Sequence, residues 1–305
     1  MGRINKGERE LDYRLEYLSN LVEKGGPSVE DYYDLDALIA DIAEHARSGR
    51  LTKLDLHHLR ESLGDAVSID TLQGFAYRKP YGYAGDFELL ERIYTRYVSD
   101  KSQLSNWDRY AQEQMCAHAV RNRVEYFSCV LKEALSRSPE ARVLNLASGP
   151  GRDMLGFFDT HPDAPVHMEC VDQEPRAIAY ARSLCGSHLD KIVFHNKNVL
   201  RFRPKQRFDV IWAAGVFDYF EDKVFVHMLG RLREMANRPG EIVVGNFSTI
   251  DPSKHYLDLF DWHLHRRSPQ LLAALAREAG YHSRQIRIEK EPTGVNLFLH
   301  IHTWP

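Results

Sequence analysis

Residues 145–158 read NLASGPGRDMLGFF, preceded at 141–144 by the β-forming run ARVL. The spacing after the turn is helical, so the stretch reads as a strand, a glycine turn at Gly149 and Gly151, and a helix. In such a turn the backbone N–H groups and the helix N-terminus can come close to an anionic or strongly polar ligand. The dinucleotide fingerprint needs G-x-G-x-x-G, but Met154 stands at the third position and the next glycine is Gly156. A pyrophosphate site for NAD or FAD is therefore not expected, and the absence of G-x-x-x-x-G-K-[ST] removes a P-loop. An ordinary tight turn is the alternative for both glycines.

Downstream of this stretch the pattern stays α/β. VHMECV (166–171), KIVFHN (191–196), FDVIWAAGV (208–216) and GEIVVGNF (240–247) are short β-rich runs, most of them separated by helical spacing. Strands alternating with helices imply a parallel sheet wrapped by helices. A last helix at 268–280 is followed by RQIRIEK and GVNLFLHIH, joined by a turn at Pro292–Gly294, which predicts an antiparallel hairpin closing the sheet. Upstream, helical periodicity runs over 8–24, 30–47 and 52–63, the last starting at the capping candidate Thr52. The segment 74–87, GFAYRKPYGYAGDF, breaks both periodicities and reads as irregular; helices return over 87–98 and 107–135. The expected organisation is a helical region over 1–135 and an α/β domain over 136–305.

Composition narrows the function. Of 305 residues, 43% are hydrophobic and 27% charged, a globular balance, and no run approaches a membrane span. A formal charge of −3 argues against gripping nucleic acid by phosphate neutralisation; RFRPKQR (201–207) and HRR (265–267) read as solvated loops. The polar start carries no secretory signal, so a cytoplasmic protein is expected. Cys116, Cys129, Cys170 and Cys185 lack any C-x-x-C pairing and read as buried free thiols.

Asp172 closes the second strand, twenty-one residues beyond Gly151. A carboxylate there can accept hydrogen bonds from both ribose hydroxyls of a nucleoside laid across the strand ends. Its alternative is a helix N-cap ahead of EPRAIAYAR. With this acid in place, Asn145-Leu146-Ala147-Ser148-Gly149-Pro150-Gly151 resembles motif I of the class I S-adenosylmethionine-dependent methyltransferases, with Asn145 in place of the common acid and Ala147 in place of the first glycine. FHNKNVLRF and FDVIWAAGVFDYF resemble that family's third and fourth strand ends, and the terminal hairpin resembles its reversed last strand. The resemblance spans roughly residues 107–305. It implies an α/β fold with a Rossmann-like seven-stranded methyltransferase sheet, last strand antiparallel, and an N-terminal helical lid domain. It also implies S-adenosyl-L-methionine as cofactor, S-adenosylhomocysteine as product, and a cofactor site of Ala147, Ser148, Gly149, Pro150, Gly151, Asp172, Gln173, Asn198, Val199, Ala214 and Gly215. KPYGYAGDFELLERIY, AVRNRVEYF and GVNLFLHI together look like the bacterial methyltransferases grouped with those that make methyl esters of 3-hydroxy fatty acid signals.

A sulfonium methyl is already electrophilic, so the protein must align a nucleophile in line and exclude water. A carboxylate needs no base, whereas an amine or phenol must lose a proton. Phe217 to Phe220 would face the reacting centre, with Asp218 and Tyr219 as an orienting pair and Phe217 toward substrate. His263 and His265 are the candidate bases. Tyr81, Tyr83 and Asp86, in a lid freed by Gly82 and Gly85, are candidate substrate contacts, with an aromatic-anchored loop as alternative. Arg121 and Arg123 offer a guanidinium to a carboxylate, or are solvated helix charges. No metal is expected, because no acid or cysteine cluster accompanies the histidines. The expected function is methylation of a small-molecule carboxylate or amine, without nucleic-acid or membrane partners; a homodimer is left open. The alternatives are an RNA, DNA or protein methyltransferase, disfavoured for nucleic acid because AAGVFDYF replaces [DNS]-P-P-[YFW], and a non-catalytic cofactor-binding protein.

Overall fold

The computed structural model describes residues 6–304. By internal packing the chain divides into two units, one of residues up to Ala117 with Pro252–His263, the other of His118–Asp251 with the residues from Leu264 on.

The first unit is helical: α1 (Lys6–Glu23), α2 (Tyr32–Arg47), α3 (Lys53–Glu61), α4 (Leu72–Arg78), α5 (Phe87–Tyr94) and α6 (Ser102–Glu113). Thr52 caps α3 as its sequence suggests, its hydroxyl accepting from the Asp55 N–H at 3.2 Å while its own N–H donates to Asp55 Oδ2 at 2.7 Å. Two expectations are corrected. The segment from Gly74 to Arg78 is helical, so only 79–86 is irregular. Gly74 misleads because it serves a close approach: a Cβ there would sit 1.9 Å from the Ser68 carbonyl oxygen. The long helix expected over 107–135 is interrupted, since Gln114 is extended (φ −61°, ψ 136°) between α6 and α7 (Met115–Arg137). The first turn of α7 is capped from afar, the Cys116 N–H donating to Ser253 Oγ at 2.9 Å, and a cap 137 residues away leaves no local sequence signal.

The second unit holds β1 (Ala141–Leu146), α8 (Arg152–Thr160), β2 (Val166–Asp172), α9 (Pro175–Leu184), β3 (Ile192–Asn196), β4 (Phe208–Ala213), α10 (Asp222–Met235) and β5 (Ala236–Phe247). After α11 (Lys254–Leu259), which belongs to the first unit, come α12 (Pro269–Glu278), β6 (Ile286–Lys290) and β7 (Asn296–Thr303). The strands form one seven-stranded sheet in the order β3-β2-β1-β4-β5-β7-β6, with β7 antiparallel to both neighbours and the other pairs parallel. This is the expected α/β architecture with a reversed last strand.

The two-residue period of the strands builds two cores. Val143, Met168, Val210, Trp212, Val243 and Phe298 pack one face together with Phe127 and Leu131 of α7 and Phe157 and Phe158 of α8. Leu144, Val171, Ile211, Ile242, Val244 and Leu299 pack the other with Phe225 and Leu229 of α10 and Leu272 of α12. Strand order reverses at β1, which lies between β2 and β4, and in open α/β sheets ligands bind outside the carboxyl ends of the strands at that reversal. Of the four cysteines, Cys129 is exposed rather than buried: it lies on the outer face of α7, in helical phase opposite to Val130 and Leu131.

Candidate active site

The chain leaves β1 through a left-handed turn, with positive φ at Ala147 (54°), Gly149 (54°) and Gly151 (85°). Gly151 has two reasons to lack a side chain, because a Cβ there would also lie 2.7 Å from Met154 Cε and 3.2 Å from Ala181 Cβ. Gly151 is the residue that opens α8, so the helix N-terminus faces the turn. Ser148 is buried, and its backbone N–H donates to the Val171 carbonyl at 3.3 Å. Among the described residues its hydroxyl Oγ has no hydrogen-bond partner. Pro150 is buried within the same turn.

Asp172 ends β2 beside this turn. Its Oδ2 accepts from the Gly149 N–H at 3.0 Å and its Oδ1 from the Glu174 N–H at 2.9 Å. The carboxylate thus bridges the two loops, and each oxygen retains acceptor capacity. Burial raises its pKa, against the lowering effect of those N–H bonds. It is not the N-cap of α9, a place taken by Glu174, whose side chain accepts from the Arg176 N–H. Next to it, exposed Gln173 accepts from Asn198 Nδ2 at 2.7 Å, and Asn198 Oδ1 accepts from the Leu200 N–H at 2.9 Å. Asn196, from the end of β3, reaches back to the Asp172 and Gln173 carbonyls at 3.1 and 3.0 Å. Val199 is buried against the core behind them.

Asn145, where the motif's acid would stand, donates through Nδ2 to Asp153 Oδ2 at 3.2 Å, and Trp212 Nε1 donates to the same oxygen at 3.2 Å. Asp153 lies in the first turn of α8 and restores a carboxylate that β1 itself lacks; burial raises its pKa. Sequence reading missed it, although an amide at Asn145 was a cue to look for an acid one or two helical turns on. At the end of β4 the Ala214 carbonyl accepts from Arg123 Nη1 at 2.9 Å, and a Cβ on Gly215 would come within 3.1 Å of that nitrogen.

The other candidates separate. Phe217 is wholly buried and packs edge-on against Phe225 at 4.9 Å, which makes it a core residue. Asp218 is buried, pushed up to about 6 by that burial, and its Oδ1 accepts from the Phe247 N–H at 2.6 Å. Arg267 secures the same loop, donating to the Phe217 carbonyl (3.2 Å), to Asn246 Oδ1 (2.7 Å) and to Asp222 Oδ1 (2.9 Å). The carboxylate of Asp218 is therefore part of the scaffold joining the β4 and β5 ends. Tyr219, 40% exposed, and His265, exposed and joined through its N–H to the Asp218 carbonyl at 2.8 Å, lie on that scaffold. Arg121 is half-buried on α7.

In the first unit, His263 is exposed and pairs with Asp261 at 2.9 Å. Asp86 caps α5, accepting from the Glu88 and Leu89 N–H groups at 3.0 Å each, and burial pushes it up to about 6. The Tyr81 hydroxyl donates to Glu88 Oε2 at 2.6 Å with its ring on Phe87, and Tyr83 is half-buried on the same loop. Among the described residues, no group of His, Cys, Asp and Glu is arranged to hold a metal, and no helix is long and apolar enough to cross a membrane.

The strand order and the left-handed turn after β1 define a Rossmann-like α/β domain. Residues 137–283 match the family model of a methyltransferase domain. No curated protein matches the sequence. The fold is similar to that of a possible exported protein from Bordetella parapertussis, with TM-score 0.61 and 16% identity over 99% of this chain and 98% of that one. It is also similar to magnesium protoporphyrin IX methyltransferase from Synechocystis PCC 6803 solved with bound S-adenosylhomocysteine, with TM-score 0.52 and 11% identity over 78% of this chain and 100% of that one.

Proposed function

We propose that the chain is an S-adenosyl-L-methionine-dependent methyltransferase acting on a small-molecule carboxylate or amine. One observation carries the reading: the Asp172 carboxylate bridges the Gly149 and Glu174 N–H groups at the sheet's reversal point, beside a left-handed turn on which no side chain stands at 149 or 151. The residues fit the cofactor. The Ser148 hydroxyl is a buried donor in want of an acceptor. Buried Met154, in place of a third glycine, fits a nucleoside without pyrophosphate.

Bound S-adenosyl-L-methionine supplies a methyl group already activated on its sulfonium. The chain's own part is to bind and orient. Asp172 holds the ribose hydroxyls, Gln173, Asn198 and Val199 border the base, and the turn 147–151 with Ala214 and Gly215 lines the remainder. A carboxylate substrate asks no proton transfer of the protein; for an amine, we assign the base to His265 on the segment after β5, with Tyr219 on the loop after β4 orienting the substrate.

Calorimetry with S-adenosylhomocysteine tests this: Asp172→Ala should weaken binding at least about tenfold, roughly two lost hydrogen bonds to a charged acceptor. An unchanged affinity contradicts the ribose assignment.

A further inference from the structure

A cleft of about 540 Å³ opens within the first unit, between α2, α3 and α11. Small-molecule sites are of that size, on the order of 300–1,000 Å³. Its floor is apolar: Ile42, Ala43 and Ala46 come from one face of α2, Leu56 from α3 and Leu259 from α11. Four cations line it, Arg47, Lys53, Arg60 and Lys254, against two carboxylates, Asp258 and Asp261. Both carboxylates are already engaged, since His263 lies 3.5 Å from Asp258 and 2.9 Å from Asp261, and Lys79 also donates to Asp261. Among the described residues, none of the four cations has a carboxylate within ion-pair distance.

Folding does not account for this excess of positive charge. Arg60 is held at the cleft by neutral groups, its Nε donating to the Leu259 carbonyl at 2.6 Å and its guanidinium lying 5.2 Å from the centre of the Tyr77 ring. Lys53 is the first residue of α3, the end at which a helix dipole disfavours a cation, so its own helix gains nothing from the charge. Like charges converging over an apolar wall repel one another and focus a positive potential into the cleft. An anion offsets both costs, and two uncompensated cations set its charge. We propose that this cleft binds a small organic dianion, a phosphate monoester or a dicarboxylate carried on a compact apolar body. The body rests on Ile42, Ala46 and Leu259, and the charged head lies among Arg47, Lys53 and Arg60, where a guanidinium and an ammonium can each donate to its oxygens. Every residue named belongs to the first unit, and the inference does not depend on the cofactor reading above.

The test is calorimetric titration of the full chain with phenyl phosphate and with phthalate, set against phenol and inorganic phosphate as the body and the head alone. At least one of the two whole probes should bind saturably, one to one and at least tenfold more tightly than phenol or inorganic phosphate, and the tighter of the two identifies the head. The double substitution Arg47→Gln, Lys53→Gln, at two exposed positions, should weaken that probe at least tenfold. Ala46→Leu, which fills the floor and leaves the charges in place, should weaken it at least fivefold, with unaltered thermal unfolding showing that both variants fold. Binding of neither probe, or an affinity that either variant leaves within twofold, overturns the proposal. Failure to bind S-adenosylhomocysteine is a separate outcome, which counts against the cofactor reading and not against this cleft.

Discussion

Toward the amino ends of the parallel strands, Glu241, His300 and Tyr126 form a closed chain: His300 Nδ1 meets Glu241 Oε1 at 2.7 Å, Arg137 donates to Glu241 Oε2 at 2.8 Å, and the Tyr126 hydroxyl meets His300 Nε2 at 2.7 Å and donates to Glu289 at 2.6 Å. At the carboxyl ends of the same sheet, Ser148 Oγ and Arg123 Nε are buried without partners among the described residues. The carboxylates differ in the same sense. Burial alone would raise Glu241, but His300 and Arg137 hold it down to about 2, whereas burial prevails at Asp153, Asp172 and Asp218 and raises all three. One edge spends its polar groups on folding. The other keeps some in reserve, which is stable only where a ligand completes them.

That contrast can be broken by substitution. The largest effect on binding is expected at Gly151→Ala, which places a Cβ at φ 85° against Met154 and Ala181. Displacing the turn should weaken S-adenosylhomocysteine about a hundredfold in calorimetry, roughly 2.7 kcal/mol; a loss under threefold would show that the turn does not shape the site. Glu241→Gln should do the reverse, costing about 3 kcal/mol of folding stability by denaturant titration at neutral pH and leaving ligand affinity within about twofold. The sign with pH follows from the lowered carboxyl: its stabilisation is complete above the unfolded pKa of about 4.5 and fades as pH falls toward 2. The gap between the variant and the unaltered chain should therefore close across that window, and a gap independent of pH would remove the ion-pair account.

The parts of the fold that were legible in the sequence are those with local causes. The strands follow β-rich runs, α3 follows its Thr52–Asp55 capping box, and the reversed last strand follows the turn at Pro292–Gly294. What escaped depends on distant partners. Gly74 reads as a breaker until the Ser68 carbonyl beneath it is seen, and the interruption at Gln114 depends on Ser253. The site divides in the same way. The turn and Asp172 carry their own pattern, while Asp153 is recruited by Asn145 and Trp212, and Asp218 and Phe217 pack into the framework beside Arg267 and Phe225. Residue type announced polarity there, and only packing showed how that polarity is used.

The most direct measurement is a calorimetric titration of the full chain with S-adenosylhomocysteine and, in parallel, with NAD. The account predicts saturable one-to-one binding of the first and no heat from the second; heat from NAD with none from S-adenosylhomocysteine would contradict it.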